Sequence, residues 1–421
     1  MKRRKTEIPT ICYVLPDLKA AGTQWFVIRL ATLLKATAGA RPIIVSLARG
    51  GALEEVVRKQ GIRYYHLGAA KGANGIRTLG WARPSWIARL SNLYRSEQVH
   101  IVHTNLLPAS IPGRIAAWIA RVPIVVDAMH NVYPWKDRDA VALYIDRLLA
   151  SRTTRLVACS DTVRIASARQ LRVPLEQVIT IYHGIDTETY CPGSANWRLR
   201  AQFGLSSNHF VLGCVARLKP AKRVRDLIEV MPRILTIQPK AKALIIGDGD
   251  GRPELELLVR NMGLGRAVVF AGEQQSVSAD LYRIMDVFVQ LAEREGFGLA
   301  WAEAAATGIP VIAAANPTLL ELLDTQRAML MDVGDKSRLI AHISTILKHR
   351  QNLRSMIQRG RNSVVNQFSY ARMLVTYERF YRDLLSEVGP DTSYPHAESK
   401  NGGVTEFAVG FDCRGYRFGD E

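Results

Sequence analysis

Short apolar runs rich in β-branched residues alternate with stretches of helical periodicity along most of this chain. Residues 10–15 are predicted to form a strand, residues 23–35 a helix and residues 42–47 a second strand. Parallel strands need a crossover connection, and helical crossovers cover both faces of the sheet. The rhythm therefore predicts an α/β fold built on doubly wound parallel sheets.

The same rhythm runs twice, with a turn-rich break at residues 182–193. Further strands are predicted at residues 101–104, 124–128, 156–160 and 178–181 before the break, and at 210–216, 243–247, 268–271, 287–290 and 311–314 after it. We expect two Rossmann-like domains facing a central cleft, because open α/β sheets bind ligands at the carboxyl ends of their strands. The expected boundaries are 1–190 for an acceptor-side domain, 191–368 for a donor domain, 369–387 for a C-terminal helix packing back on the first domain, and 388–421 for a flexible tail.

The chain is strongly basic, with 56 Lys and Arg against 38 Asp and Glu and a formal charge of +18. This favours a phosphorylated small molecule, an anionic bilayer or nucleic acid as partner, and charge alone does not choose among them. No nucleic acid is expected, because the basic residues are scattered without a recognised binding motif. The basic start lacks an apolar signal core, and the cysteines are odd in number and widely spaced, so we expect a cytoplasmic protein.

The segment EGFGLAWAE places two glutamates around a Gly-Phe-Gly. A helix beginning near Gly298 would put Glu295 in the preceding loop and Glu303 within the helix. The amides of Phe297, Gly298 and Leu299 would then face the cleft, where a helix N-terminus favours phosphate. Glu295 is expected to accept hydrogen bonds from sugar hydroxyls and Glu303 from ribose hydroxyls. The simpler alternative is a loop carboxylate and a helix-face charge.

A second motif, ARLKPAKR, follows the strand predicted at residues 210–216. Arg217 would stand at the carboxyl end of that strand, where its guanidinium can hold two phosphate oxygens. Lys222 would neutralise charge developing on a leaving diphosphate. Lys219 and Arg223 are interpreted as solvated surface charges.

The first half offers weaker signals. Gly22 lies at a strand-to-helix turn, where it would let the backbone approach a phosphate, although a simple turn is an equal alternative. Thr23 is predicted to cap the helix. His130 follows an apolar strand and is expected near the reacting sugar, whereas His103 is expected to support the structure.

Together these motifs resemble the retaining glycosyltransferases of family 4, which have the GT-B fold. The resemblance runs from the first strand to the helix after Phe368. Its strongest matches are GCVARLKPAK at 213–222, Gly-Asp-Gly at 247–249, and 295–303 followed by Gly-Ile-Pro at 308–310. Weaker matches are Gly22, His130, Cys-Ser at 159–160 and Gly-Ile-Asp at 184–186.

The resemblance implies transfer of a sugar from a nucleotide diphosphate donor. The overall charge and the basic segment 71–95 lead us to expect a glycan or lipid-linked acceptor, in cell-surface polysaccharide or glycolipid biosynthesis. The resemblance also implies retention of anomeric configuration and no metal or other cofactor; Asp248 and Asp250 are interpreted as a turn rather than a metal site. The implied catalytic residues are His130, Glu295, Arg217 and Lys222. The implied donor-binding residues are Gly22, Arg217, Lys222, Glu295, Phe297, Gly298, Leu299 and Glu303.

This sequence departs from the family pattern at several positions. Ala21 replaces a glycine, His183 replaces an asparagine, and Pro317 and Thr318 replace a glycine pair. Proline removes a backbone donor from the cleft. These departures concern the transferred sugar, and they leave open a catalytically silent or epimerase-type GT-B protein.

Residues 71–95 mix arginines with Trp81, Trp86 and Tyr94. Such a mix suits an anionic membrane interface, which would make the protein peripheral on the inner face of the cytoplasmic membrane, or simply a basic membrane-surface binding protein. The alternative is an ordinary amphipathic helix packed on the sheet.

Overall fold

A computed structural model describes residues 9–69, 83–131, 140–274 and 277–388. Its strands form two parallel sheets, which confirms the predicted fold class. The expected tail, residues 388–421, lies outside the described part of the chain except for Val388, and so does the whole stretch 71–82.

The first sheet has seven strands in the order β3-β2-β1-β4-β5-β6-β7. Their bounds are β1 Thr10–Leu15, β2 Arg41–Ala48, β3 Arg63–Ala69, β4 Ile101–Asn105, β5 Ile124–Met129, β6 Arg155–Ala158 and β7 Val178–Thr180. The helices between them are α1 Gly22–Thr37, α2 Glu54–Lys59, α3 Pro84–Ser96, α4 Leu107–Ala120, α5 Ala140–Ala150 and α6 Asp161–Leu171. Every residue of β1, β4 and β5 is buried, because helices cover both faces of the sheet.

The second sheet has six strands in the order β10-β9-β8-β11-β12-β13. Their bounds are β8 Phe210–Val215, β9 Ala241–Ile246, β10 Val268–Gly272, β11 Val287–Gln290, β12 Val311–Ala314 and β13 Met329–Met331. The helices are α7 Trp197–Gln202, α8 Val224–Ile237, α9 Arg252–Asn261, α10 Ala279–Arg283, α11 Leu299–Ala306, α12 Pro317–Leu322, α13 Lys336–His349, α14 Arg354–Gln367 and α15 Tyr370–Val388. Strand order reverses beside β1 in the first sheet and beside β8 in the second, and ligands bind at such switch points.

The last helix, α15, returns to the first sheet. Met373, Tyr377 and Tyr381 on α15 are buried in the same core as α1 and β1. The approach to α15 is fixed at the break between the two sheets, where Ile185 donates its amide to the Phe368 carbonyl at 2.7 Å. The Ile185 carbonyl in turn accepts from the Tyr370 amide at 2.9 Å.

Helix α3 is amphipathic and packs on the first sheet. Trp86, Leu90 and Tyr94 belong to the hydrophobic core of that sheet. Arg89 donates to the Leu67 carbonyl at 2.7 Å. The expectation of a membrane-facing aromatic face is therefore wrong for the described part of 71–95, because its apolar stripe is already covered by the sheet. Within the described ranges, no helix is both long and apolar enough to span a membrane.

Candidate active site

A cavity of about 200 Å³ lies where the two halves meet, and both halves line it. Gly22 and Phe26 of α1 lie on one side, and Leu299 and Glu303 of α11 on the other. A Cβ atom added at Gly22 would lie 3.1 Å from Cδ1 of Leu299, so a side chain there would crowd the cavity wall. Two of the predicted donor-binding positions in the second half thus line the same cavity as the predicted glycine of the first.

Helix α1 begins at Gly22, and its N-cap is Ala21, which makes no side-chain capping bond. The prediction that Thr23 caps the helix is therefore wrong. Thr23 lies inside the first turn, one residue beyond the first helical position, where its hydroxyl does not occupy the capping geometry. An uncapped helix start beside the cavity leaves its first-turn amides available to an anion.

Glu303 lines the cavity from the first two turns of α11. The Tyr282 hydroxyl donates to its Oε2 at 2.5 Å. Burial raises the pKa of Glu303 to about 7, although the Tyr282 hydrogen bond and the Arg29 charge oppose that shift. This carboxyl therefore changes its protonation close to neutral pH, and as a carboxylate it can accept from a ligand hydroxyl.

Arg29 is a cation in the cavity wall that sequence reasoning did not identify. Its guanidinium lies 5.3 Å from the Tyr370 ring centroid and donates to the Tyr370 hydroxyl at 2.5 Å. It also lies 3.8 Å from Oδ2 of Asp186. Arg29 is the eighth residue of α1, and in the sequence it looks like an ordinary helix charge, so no local motif marks it as a site residue.

Lys222 and Glu295, predicted from separate motifs, form one pair. The Lys222 ammonium lies 2.6 Å from Oε1 of Glu295, which also accepts from Gln290 Nε2 at 3.0 Å. The Thr318 hydroxyl donates to the Glu295 carbonyl at 2.8 Å. These contacts fix the loop between β11 and α11 from three sides.

Arg217 follows the end of β8 and is exposed. The described part of the chain provides no hydrogen-bond or ion-pair partner for its guanidinium, so it is free to meet an anion. Val215, two residues earlier, lines the cavity. Asp248 accepts from the Gly249 amide at 2.7 Å and pairs with Arg252 at 2.8 Å, so it forms a turn into α9, as expected.

The start of α11 has the geometry that the sequence predicted. Gly298 is the N-cap, with a φ of 84° that only glycine adopts readily, and its neighbour Gln290 leaves no room for a Cβ. The amides of Phe297, Gly298 and Leu299 have no hydrogen-bond partner among the described residues. The Phe297 ring is buried against Trp301 and Phe368, which anchors this turn.

His130 is buried immediately after β5, and its ring lies in a polar chain. Asn105 Nδ2 donates to the His103 carbonyl, so Asn105 Oδ1 accepts from His130 Nε2 at 3.0 Å. His130 Nδ1 then accepts from His183 Nε2 at 3.1 Å. Burial, reinforced by His183 and His103, holds the pKa of His130 well below its usual value, so the ring is neutral.

The backbone of His130 contacts the other half directly. A Cβ atom at Gly296 would lie 1.9 Å from the His130 carbonyl oxygen. The loop that carries Glu295 and the end of β5 are therefore in contact across the boundary. His103, by contrast, is fully buried and bonds the Tyr381 hydroxyl through Nδ1. His103 supports the structure, as expected, but does not face the cleft.

Glu321 is a second contact across the boundary that sequence reasoning missed. Its carboxylate accepts from the amides of Asp161 and Thr162 at 2.8 and 2.7 Å, and from the Thr162 hydroxyl at 2.8 Å. Glu321 belongs to α12, and these donors form the start of α6. A carboxylate at a helix N-terminus is stabilised by the free amides and by the helix dipole.

Two family models and several known proteins match this chain. A family model described as Glycosyltransferase Family 4 matches residues 20–189, and one described as Glycosyl transferases group 1 matches residues 195–363. The N-acetyl-alpha-D-glucosaminyl L-malate synthase of Bacillus anthracis is 28% identical over 71% of this chain and 79% of its own length. An Escherichia coli enzyme named UDP-Gal:alpha-D-GlcNAc-diphosphoundecaprenol alpha-1,3-galactosyltransferase is 27% identical over 70% of this chain and 78% of its own.

Among solved structures, HepE from Anabaena in complex with UDP and glucose aligns with a TM-score of 0.77 at 22% identity. The alignment covers 89% of this chain and all of that one. At this identity the likeness speaks for the fold. The two family models together span most of both halves, and on their evidence this chain belongs to the family 4 glycosyltransferases with the GT-B fold.

Proposed function

We propose that this glycosyltransferase takes its sugar from a uridine diphosphate donor and transfers it, with retention, to a glycan or lipid-linked acceptor at the cytoplasmic membrane. Cell-surface polysaccharide or glycolipid synthesis is the proposed context. One observation carries the proposal: a cavity walled jointly by Gly22 and by Leu299 and Glu303, with Glu295, in the loop that leads into α11, paired to Lys222 of the turn after β8. The name of the galactosyltransferase relative supports both the uridine base and the lipid acceptor.

In this proposal Glu303 accepts from the ribose hydroxyls, since its carboxylate faces the cavity from α11. The diphosphate lies against the amides of Phe297 to Leu299 and the start of α1 at Gly22. Arg217 and Lys222 supply its positive charge, because a guanidinium and an ammonium both bind phosphate oxygens.

In this proposal the sugar lies where the loop carrying Glu295 meets the end of β5 at His130, a contact made by Gly296. The bond from the anomeric carbon to the diphosphate oxygen breaks, and the acceptor hydroxyl oxygen bonds to that carbon on the same face. Its proton passes to the departing phosphate. Lys222, now paired with Glu295, stabilises the developing negative charge when it turns to the diphosphate.

Residues of the described chain that could hold a metal ion do not form a cluster of three or more. Arg217 and Lys222 supply the charge stabilisation in this proposal. The test is activity in chelator-treated protein with and without added Mg²⁺ or Mn²⁺; a strict requirement for either ion would contradict this assignment.

The decisive experiment incubates the purified protein with a panel of uridine, guanosine and adenosine diphosphate sugars. Nucleotide release is measured with and without short-chain lipid diphosphate sugars as acceptors. We expect release with a uridine donor that rises with acceptor. No release with any donor and acceptor would favour a catalytically silent protein.

Lys222→Met and Lys219→Met form a matched pair within one loop. Lys222 bonds Glu295, whereas Lys219 is exposed at the same turn. We expect at least a hundredfold loss of kcat in the first variant, typical of losing a group that stabilises the leaving charge, and almost none in the second. Equal losses would refute the assigned role of Lys222.

A further inference from the structure

Helix α5 buries a charged residue and exposes large apolar ones. Its one acidic residue, Asp146, is buried and pairs with the equally buried Arg114 of α4. Its large apolar residues face solvent instead: the exposed fractions are 61% for Val141, 61% for Tyr144 and 45% for Leu148. These residues follow one another at helical spacing, so they form a single stripe. A contiguous exposed apolar surface of this kind marks an interaction site.

The stripe continues onto the end of α4, which packs beside α5. Trp118 is 66% exposed and Ile119 is 45% exposed. Arg152, just after α5, places its guanidinium 5.8 Å from the Trp118 ring centroid. This contact joins the end of α4 to the end of α5, so the two apolar sets form one surface.

This surface is bordered by positive charge. Arg121 and Arg152 are exposed beside it, and Arg95 reaches its edge by donating to the Ile119 carbonyl at 2.7 Å. No acidic residue occurs at positions 107–126, and Asp146 is the one acidic residue at 140–160. Because Asp146 is buried against Arg114, no carboxylate on these two helices offsets the arginines.

We propose that this α4–α5 face, formed by Trp118, Ile119, Val141, Tyr144 and Leu148 with Arg121 and Arg152, docks the protein on an anionic lipid bilayer. Aromatic and aliphatic groups beside arginines suit the boundary between headgroups and acyl chains. A second copy of the chain fits the face poorly, since a twofold contact would bring the same arginines against each other. The inference rests on the proposed membrane-borne acceptor and names the surface that reaches it.

The stripe also points toward the cleft. Helix α5 leads into the parallel strand β6, so α5 runs against the strand direction and its first residues lie at the carboxyl edge of the sheet. Val141 is therefore at the cleft end, and Leu148 lies about 10 Å further along the axis at 1.5 Å per residue. A bilayer lying along α5 would approach the edge of the sheet where the donor cavity opens, within reach of a lipid-linked acceptor.

The test is flotation of the full chain with vesicles of phosphatidylcholine alone or mixed equally with phosphatidylglycerol. Trp118→Ser/Arg121→Ser is compared with Trp197→Ser/Arg198→Ser, a control with the same residue types, which are also exposed, on α7. Like Trp118, Trp197 has an arginine beside its ring, since the Arg200 guanidinium lies 5.4 Å from the ring centroid. We expect the wild type and the control to float with the anionic vesicles, and the α4–α5 variant to bind about tenfold more weakly.

Equal binding of the two double variants would overturn the proposal, and so would equal flotation with neutral vesicles or no flotation of the wild type at low salt. Sedimentation equilibrium without lipid is a further check, because a dimer that only the α4–α5 variant disrupts would assign the face to a second copy. Donor turnover with a water-soluble acceptor should be unchanged in both variants. That readout separates the two proposals: absent turnover in the wild type would refute the proposed function, while vesicle binding would still be measured.

Discussion

Gly296 lies against the backbone of His130, across the boundary between the two halves of the cleft. A Cβ atom at residue 296 would lie 1.9 Å from the His130 carbonyl oxygen and 2.8 Å from its carbon. Ordinary contacts begin near 3.4 Å, so Gly296→Ala must displace the loop from the end of β5 by about 1.5 Å. The obstacle is backbone, which cannot rotate aside as a flexible side chain would.

The displaced loop carries Glu295 and leads into the start of α11. A misplacement of about 1 Å at a reacting centre costs on the order of a hundredfold in rate, or about 2.7 kcal/mol. We therefore expect Gly296→Ala to lower kcat/KM for the donor identified in the nucleotide-sugar panel by about a hundredfold or more. The assay is the initial rate of nucleotide release at subsaturating donor.

Gly265→Ala is the matched control, because a Cβ atom there meets no atom within 4 Å and its backbone is not in the left-handed region. Thermal unfolding of both variants shows whether a loss of rate is a loss of folded protein. The reasoning is refuted if Gly296→Ala keeps kcat/KM within threefold of the wild type at an unchanged Tm.

Three further outcomes follow from buried charge. Burial holds the pKa of Glu303 at about 7, and the ionised form is the better acceptor for ribose hydroxyls, so donor affinity should rise as pH rises through that value. Titration calorimetry should show that the donor affinity of Glu303→Gln does not change with pH. A pH dependence in this variant equal to that of the wild type would contradict the role. Glu321→Gln should lower the free energy of unfolding by about 1–3 kcal/mol in urea titrations, because a carboxylate bonded to the start of α6 is lost. Asp146→Ala should cost about 1.5–3 kcal/mol in the same assay, since Arg114 would lose the carboxylate that accepts its hydrogen bond and keep only Asp127, 3.9 Å away; a loss below 1 kcal/mol would contradict that account.

The central strands of both sheets were predictable from sequence. Strands β11 and β12 have the predicted bounds, because strands buried on both faces are nearly uninterrupted apolar runs. Strand β3, with the sequence RYYHLGA, was not predicted, since it lies at the sheet edge and is partly polar. Strand β13 is three residues long, too short for any periodicity to show.

The site was predictable where it depends on the ends of strands. Lys222 and Glu295 are 73 positions apart, yet they meet because β8 and β11 are neighbours in the sheet. Arg29 and Asn105 were not predictable, because each reaches the site only through packing between distant elements. The orientation of α5 was not predictable either, because its apolar residues suggest a buried helix. Its buried face is instead set by the pairing of Asp146 with Arg114, which lies 32 positions earlier in the chain.

The structure gives Pro317 and Thr318, which stand in place of an expected glycine pair, defined structural roles. Pro317 is the first residue of α12, a position at which the backbone amide has no partner within the helix, so proline costs no hydrogen bond there. Asn316 caps the same helix by accepting from the Leu319 amide at 3.0 Å. The Thr318 hydroxyl donates a hydrogen bond to the Glu295 carbonyl. The pair therefore supports the loop that carries Glu295, and under the proposed function it acts on the transferred sugar through the position of that carboxylate.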